Sequence, residues 1–177
     1  AIKFSGNEEN LSGHSDQPYY SDDKNVALIF NGEFYNFADY KNQLVKENVG
    51  FKTQGDTEVL LKLYEKFGIN FLRDKKIDSL YSIAVYDKKL NKIFIARDWP
   101  GRIPLYYYHE KGRFLFSSEL KALRAIDGLS LQDPIELEPG KILEYDISKD
   151  ELNEVSSYNL EPYFSKNSDD IFKVGEE

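Results

Sequence analysis

The chain of 177 residues contains no cysteine. Disulfide bonds, thiolate metal ligands and a cysteine nucleophile are therefore excluded within these residues. The chain has two histidines, His14 and His109, which are far apart in the sequence. Neither has a carboxylate pair at helical spacing beside it, so they predict no metal site. We predict that both histidines lie in loops, and we expect no cofactor.

Long apolar segments and clusters of positive charge are also missing. No stretch approaches the roughly 18 apolar residues of a membrane span, and the N-terminus lacks the pattern of a signal peptide. The chain has 23 Lys and Arg against 31 Asp and Glu, which gives a net charge of −8. These properties argue against a membrane or a nucleic acid as partner and favour a cytoplasmic protein.

The composition that remains is typical of a globular protein, with 41% hydrophobic and 15% aromatic residues. A chain of this length can bury the core of one domain. Its last residues are polar and resemble a linker. We predict one domain over residues 1–164, followed by a polar linker or tail over residues 165–177.

An apolar run at residues 26–30 leads directly into Asn31 and Gly32. This pattern predicts a buried strand, a sharp turn and then a helix. At the end of such a strand, a backbone N–H and an amide side chain can point at one position, and glycine lets a ligand come close because it has no Cβ. That geometry fits an oxyanion hole. The alternative is a tight turn in which Asn31 is a local cap.

The rest of the chain shows a change of period. Helical periodicity predicts one helix from Phe37 to residues 48–50 and a second from Asp56 to Gly68, with Asp56 as its N-cap. From Leu80 the pattern becomes extended and predicts four strands in an antiparallel meander, then a short helix at 119–126 and a last strand at 141–145. This order predicts an α+β fold with antiparallel sheet and helices outside.

Five segments in fixed order resemble the motifs of one family. They are Phe30–Asn36 (FNGEFYN), Gly55–Leu61 (GDTEVLL), Ala96–Tyr107 (ARDWPGRIPLYY), Ser117–Leu123 (SSELKAL) and Leu137–Gly140 (LEPG). The family is the glutaminase half of asparagine-synthetase-like class II glutamine amidotransferases. The resemblance covers roughly residues 17–164.

This resemblance implies an N-terminal-nucleophile (Ntn) hydrolase fold, an αββα sandwich of antiparallel sheets, here truncated. In the family, an N-terminal cysteine attacks the side-chain amide of glutamine, and the ammonia passes to a separate ATP-dependent synthetase domain. By the resemblance, Asn31 and Gly32 hold the oxyanion. Glu33 and Asp56 face the α-substituents of glutamine, and Asp56 pairs with its α-ammonium group.

The chain departs from the family at its N-terminus, where the family pattern begins Cys-Gly-Ile. Residues 1–4 align either with the nucleophile strand, which puts Ala1 in place of the cysteine, or with the strand of the carboxylate-binding Arg, with Lys3 as its substitute. Alanine has no nucleophile, and the ATP-binding S-G-G-x-D-S loop is also missing. These residues are therefore expected to be catalytically inactive as given. Arg97 and Glu119 are expected to form an internal polar pair between a strand and a helix.

Three hypotheses for function remain open. In the first, the chain is the glutaminase-type domain of an asparagine-synthetase-like protein, and catalysis requires parts outside it. In the second, it is a degenerate amidotransferase domain that keeps the fold as a scaffold. In the third, it is a free-standing structural or assembly protein that associates with itself through exposed sheet edge. Glutamine, a synthetase domain or a second copy are accordingly the expected partners.

Overall fold

The computed structural model describes residues 16–74, 76–129 and 134–157. The strand expected at residues 1–4, His14 and the polar tail at 165–177 lie outside these ranges. The described elements are β1 (Tyr19–Tyr20), β2 (Val26–Phe34), α1 (Phe37–Lys46), α2 (Asp56–Phe67), a 3₁₀ helix (Ile69–Arg73), β3 (Ser79–Asp87), β4 (Lys92–Arg97), β5 (Tyr106–Glu110), β6 (Arg113–Ser117), α3 (Leu120–Arg124), β7 (Ile135–Glu136), β8 (Lys141–Asp146) and β9 (Glu151–Ser157).

The strands form two antiparallel sheets. The large sheet has the order β1-β2-β3-β4-β8-β9, and the small sheet has the order β6-β5-β7. The predicted four-stranded meander is therefore wrong, because β3 and β4 form a hairpin in one sheet while β5 and β6 form a hairpin in the other. Strand β4 pairs instead with β8, and β9 continues the large sheet beyond the strand that was expected to be the last.

Alternating side chains bury both faces of the large sheet. The face toward α1 and α2 carries a core cluster to which β2 contributes Val26, Leu28 and Phe30. On the opposite face, Ala84 and Ile95 pack with residues of the small sheet. Helix α3 lies against β5 and β6. The layers thus follow the order helix, sheet, sheet, helix, which confirms the expected αββα sandwich.

The connection from β4 to the small sheet is held by a buried arginine. The Arg97 guanidinium donates hydrogen bonds to the carbonyl oxygens of Gly101, Ile103 and Leu137, and its Nη1 lies 2.8 Å from a carboxylate oxygen of Glu136. The predicted pairing of Arg97 with Glu119 is wrong, because Glu119 is exposed and lies near Lys121. The arginine anchors loops here, whereas the motif had suggested a strand-to-helix pair.

Both long helices occur where helical periodicity predicted them. Helix α1 buries Leu44, and α2 buries six residues of its inward side. Among the described residues, no helix is both long and apolar enough to cross a membrane.

Candidate functional site

The Asn31-Gly32 pair does not form a turn. Strand β2 continues through Asn31, Gly32 and Glu33 to Phe34, and each of these residues is paired with β3. The predicted turn is therefore wrong, since the backbone leaves the sheet only at Tyr35. The pairing with β3 stabilises the extended conformation that Asn-Gly alone would not favour.

Gly32 is required by the neighbouring strand. Its φ is +155°, and a Cβ built on it would lie 1.9 Å from the carbonyl oxygen of Leu80 in β3. No side chain fits at that distance. The glycine thus allows close approach of the β3 backbone, a cause that the sequence did not reveal.

Hydrogen-bond alternation determines where the Gly32 backbone points. In an antiparallel strand, both backbone groups of a residue point to the same side, and the side changes at each residue. The N–H and C=O of Phe30 bond to the side chain of Gln17, and the N–H of Phe34 bonds to Asp56. Gly32 lies between them, so its N–H and C=O also point away from β3.

This part of the strand edge is unoccupied among the described residues. Strand β1 pairs only with Leu28 and Ala27, and no described residue pairs with Gly32 on that side. We call the N–H and C=O of Gly32, between Phe30 and Phe34, the Gly32 edge. Residues two apart in a strand are separated by about 7 Å, so this edge offers one donor and one acceptor within reach of a small ligand.

Asp56 brings a carboxylate to the same edge. It is the first residue of α2, and its Oδ2 accepts a hydrogen bond of 3.3 Å from the Phe34 N–H. The N-cap position belongs to Gly55, with no side-chain capping bond, so the prediction of Asp56 as N-cap is wrong. The carboxylate is directed at β2 and not at its own helix. Asp56 therefore lies beside the strand that carries Gly32.

Asn31 and Glu33 flank Gly32 in the strand and are both exposed. Side chains alternate along a strand, so these two point to the face of the large sheet opposite α2. The Glu33 carbonyl oxygen accepts a hydrogen bond from the Ser79 hydroxyl. Both side chains are thus available to a ligand, and the backbone between them is fixed by β3.

Sequence reasoning missed a buried carboxylate two residues after Asp56. Glu58 is 2% exposed and accepts hydrogen bonds from the N–H groups of Lys52 and Thr53 and from the Thr53 hydroxyl. Burial, followed by the neighbouring Glu58 carboxylate, raises the pKa of Tyr19. The hydrogen bonds from Lys52 and Thr53 to Glu58 fix the loop that leads into α2, and this loop determines the position of Asp56. Its signal in the sequence was its position in the Asp-Thr-Glu motif.

The remaining predictions concern histidine and metals. His109 lies in strand β5 and not in a loop, and its Nε2 is 2.7 Å from Oδ1 of Asp150. Within the described ranges, no group of three His, Asp or Glu side chains could hold a metal ion.

A cavity of about 390 Å³ lies at the far end of α2 from Asp56. It is lined by Leu63 and Phe67 of α2 together with residues of α1 and the 3₁₀ helix. None of the four site residues predicted from the sequence lines it. The cavity and the Gly32 edge are therefore separate features.

The chemistry of the Gly32 edge follows from its donors and acceptors. An amide or carboxylate oxygen can accept hydrogen bonds from a backbone N–H and an asparagine amide, which is the arrangement of an oxyanion hole. The Asp56 carboxylate and the Gly32 carbonyl oxygen can accept hydrogen bonds from an ammonium group. The edge is thus complementary to a small molecule that carries both groups.

Comparison with known proteins identifies the family of this chain. The family model of the glutamine amidotransferase domain matches residues 9–152. The chain belongs to this family. The amidotransferase domain is 42% identical over 107 residues to asparagine synthetase [glutamine-hydrolyzing] 2 of Bacillus subtilis, a match that covers 60% of this chain and 14% of the relative. It is 36% identical over 124 residues to putative asparagine synthetase [glutamine-hydrolyzing] 2 of Methanocaldococcus jannaschii, which covers 68% of this chain and 23% of that relative.

Solved structures show the same fold. An allosteric regulatory enzyme of purine biosynthesis superposes with a TM-score of 0.66 at 23% identity, covering 83% of this chain and 32% of that one. A glutamine aminotransferase class-II domain protein from Silicibacter pomeroyi has a TM-score of 0.51 at 18% identity, covering 77% of this chain and 69% of that one. The amidotransferase domain is therefore asparagine-synthetase-like and of class II, with an Ntn-hydrolase fold. It spans less than a quarter of the length of the two synthetases above.

Proposed function

We propose that the amidotransferase domain binds L-glutamine at the Gly32 edge and does not hydrolyse it with its own residues. The observation that carries this proposal is the N–H of Gly32, which points away from β3 between Phe30 and Asp56 and bonds to no residue in the part of the chain that the structure describes. In the bound state, Asn31 and the Gly32 N–H hold the side-chain amide oxygen. Asp56 accepts a hydrogen bond from the α-ammonium group, and Glu33 lies beside the α-substituents.

The absence of hydrolysis follows from the composition. The 177 residues contain no cysteine, so the attack on the glutamine amide has no thiol within them. An oxyanion hole stabilises an intermediate only after a nucleophile has attacked. Binding without attack gives no ammonia.

The partner proposed for this domain is a synthetase unit. The relatives above are named glutamine-hydrolysing asparagine synthetases, and the amidotransferase domain matches only 14% and 23% of their lengths. We infer that the domain works beside the kind of chain that makes up the rest of such proteins. Mixing it with a synthetase unit and measuring whether the two co-elute in size-exclusion chromatography tests this inference.

Calorimetric titration with L-glutamine tests the binding proposal, and an ammonia assay on the same sample tests the lack of hydrolysis. We expect saturable binding and no ammonia. Asp56→Asn removes a charge-assisted hydrogen bond worth about 1.5–3 kcal/mol, so the Kd should rise roughly ten- to a hundredfold. Asp39→Asn is the matched control, because Asp39 occupies the first turn of α1 as Asp56 occupies that of α2.

The outcomes separate the two parts of the proposal. An unchanged Kd in Asp56→Asn, or no glutamine binding by the wild type, contradicts the site. Ammonia released in proportion to time contradicts the inactivity.

A second candidate function is self-assembly, and one observation favours it. The small sheet leaves the β1–β2 side of the large sheet uncovered, where Tyr20, Ile29 and Tyr86 are 52%, 44% and 38% exposed. Pairing of Ala27 with Tyr20 and with Tyr86 puts these side chains on one face. We call this the uncovered face. Apolar surface of this kind marks interaction sites, and its test is the oligomeric state of the chain.

A further inference from the structure

Gln17 makes an unusual contact with the site strand. Its Nε2 donates to the carbonyl oxygen of Phe30 and its Oε1 accepts from the Phe30 N–H, both at 2.8 Å. These are the two hydrogen bonds that an opposing strand residue would make. The side-chain amide of Gln17 thus replaces a backbone partner at Phe30.

This replacement has a consequence for the next residue on the edge. A backbone strand that paired with Phe30 would continue to pair with Gly32. A side-chain amide offers one NH₂ group and one oxygen. It therefore satisfies the C=O and the N–H of Phe30 and does not continue the pairing along β2. Gln17 therefore holds the strand in its extended geometry up to Gly32 while leaving the Gly32 edge open.

On the other side of Gly32, the edge is held more weakly. The bond from the Phe34 N–H to Asp56 is 3.3 Å long, against 2.8 Å for each bond of Gln17. Asp56 is also the carboxylate proposed to meet the ligand. The position of the Gly32 N–H is thus determined mainly by β3 and by Gln17.

We propose that Gln17 is a positioning residue of the glutamine site, which acts through the Phe30 backbone and touches no substrate. This inference rests on the proposed function. Its side-chain amide fixes the direction of the Gly32 N–H. Loss of either hydrogen bond lets the β2 edge move and weakens the contact with the ligand oxygen.

The variant Gln17→Glu tests this role. At neutral pH its carboxylate still accepts from the Phe30 N–H, but it cannot donate to the Phe30 carbonyl oxygen, and two acceptors face each other. We expect a rise of roughly tenfold in the Kd for L-glutamine at neutral pH, because the Gly32 N–H is then no longer held in one direction. A protonated carboxyl group has both a donor and an acceptor, so the effect should reverse as the pH falls toward the ordinary pKa of glutamate, about 4.3.

The measurement is the ratio of variant to wild-type Kd between pH 7 and pH 4.5. Asp16, Glu33 and Asp56 are present in both proteins, so the ratio isolates the change at position 17. Gln43→Glu introduces the same charge at an exposed position of α1 and is the control, with a ratio expected to stay near one. Gln17→Ala should bind L-glutamine more weakly than the wild type at every pH.

A second measurement separates positioning from general stability and from failure of the proposed function. The amide resonances of Phe30 and Gly32 should move in Gln17→Glu at pH 7 and shift part of the way back toward their wild-type positions at pH 4.5, with or without glutamine. A purely structural role would lower the Tm but leave the Kd of the folded protein unchanged, and this outcome overturns the inference. If the wild type binds no glutamine, the proposed function fails, and unchanged Gly32 resonances would then overturn the positioning role independently.

Discussion

At the residue scale, Gly32 shows how one position serves both the fold and the site. Its missing side chain makes room for the Leu80 carbonyl oxygen, and its backbone presents the open N–H at the strand edge. The first property is steric and the second is a matter of hydrogen-bond alternation. A substitution at Gly32 therefore affects stability before it affects any ligand.

We predict that Gly32→Ala destabilises the domain by at least about 3 kcal/mol, because the new Cβ would lie 1.9 Å from a backbone oxygen and the φ of +155° is strained for an L-residue. Urea unfolding measures the free energy. Gly50→Ala is the control, since no atom lies within 4 Å of the Cβ it would add. The control should change stability by less than about 1 kcal/mol. A Gly32→Ala protein as stable as the control would contradict the strand geometry.

Glu58 makes a second residue-scale prediction. Its buried carboxylate accepts hydrogen bonds from the loop at residues 52–53 and lies beside Tyr19. Glu58→Gln places an NH₂ group against one of these donors and should destabilise the domain by about 2 kcal/mol, measured by urea unfolding. Glu65→Gln on the same helix removes only a partly exposed ion pair with Lys62 and should cost less than about 1 kcal/mol. Equal effects of the two substitutions would argue against the structural role of Glu58.

At the element scale, the sequence predicted those helices and strands that depend on local periodicity. The long helices begin and end within a few residues of the predicted bounds because their apolar spacing is strong. Asn31 and Gly32 were assigned to a turn because local propensity ignores β3, which pairs with both residues. The change of sheet after β4 was also missed, since it depends on the buried side chain of Arg97. Long-range contacts decide both features.

The turn between β8 and β9 joins the two sheets through Asp150. Its Oδ1 accepts from the Tyr145 hydroxyl and lies 2.7 Å from His109 Nε2, and its Oδ2 accepts from the Gly112 N–H. The hydrogen bond with His109, followed by that from Tyr145, lowers the pKa of Asp150. The carboxylate form is therefore favoured in the folded state over the unfolded state.

This shift gives the stability a defined pH dependence. A lowered folded-state pKa contributes stability that is fully present above the unfolded pKa of about 3.9 and is lost as the pH falls through the lower folded value. We expect the free energy of unfolding of the wild type to exceed that of Asp150→Asn above pH 5, and this difference to shrink between pH 4 and pH 2. Asparagine tolerates the positive φ of this position, so the variant isolates the charge. A difference that is constant with pH would contradict the assignment to Asp150.

At the scale of the whole molecule, the layer order explains how distant parts of the chain meet at the site. Gln17, Gly32 and Asp56 come from a loop, a strand and a helix, and the large sheet brings them to one edge. The family motifs include Gly32 and Asp56, which the sequence analysis therefore proposed as site residues. Gln17 was missed because a side chain that replaces a strand partner leaves no periodic signal. The motif residues were predictable, whereas the residue that positions them required the three-dimensional contacts.

The uncovered face leads to a prediction for the molecule as a whole. Ile29, Tyr20 and Tyr86 offer a second copy an apolar surface, so the chain should associate with itself as its concentration rises. Ile29→Lys places a charge at the centre of this face and should shift the protein to monomer, because a lysine cannot be buried there without a partner. Light scattering after size-exclusion chromatography measures the change over a range of concentrations.

The control for this prediction is Ile126→Lys, which changes an equally apolar residue that is 40% exposed just after α3, on the small-sheet side. It should leave the association unchanged, since Ile126 follows α3 and is not one of the residues of the uncovered face. Wild-type protein that stays monomeric at every concentration contradicts the assembly candidate and leaves glutamine binding as the proposed function. Loss of association in both variants points to a general effect of added charge, because net repulsion acts on the whole molecule rather than on one face.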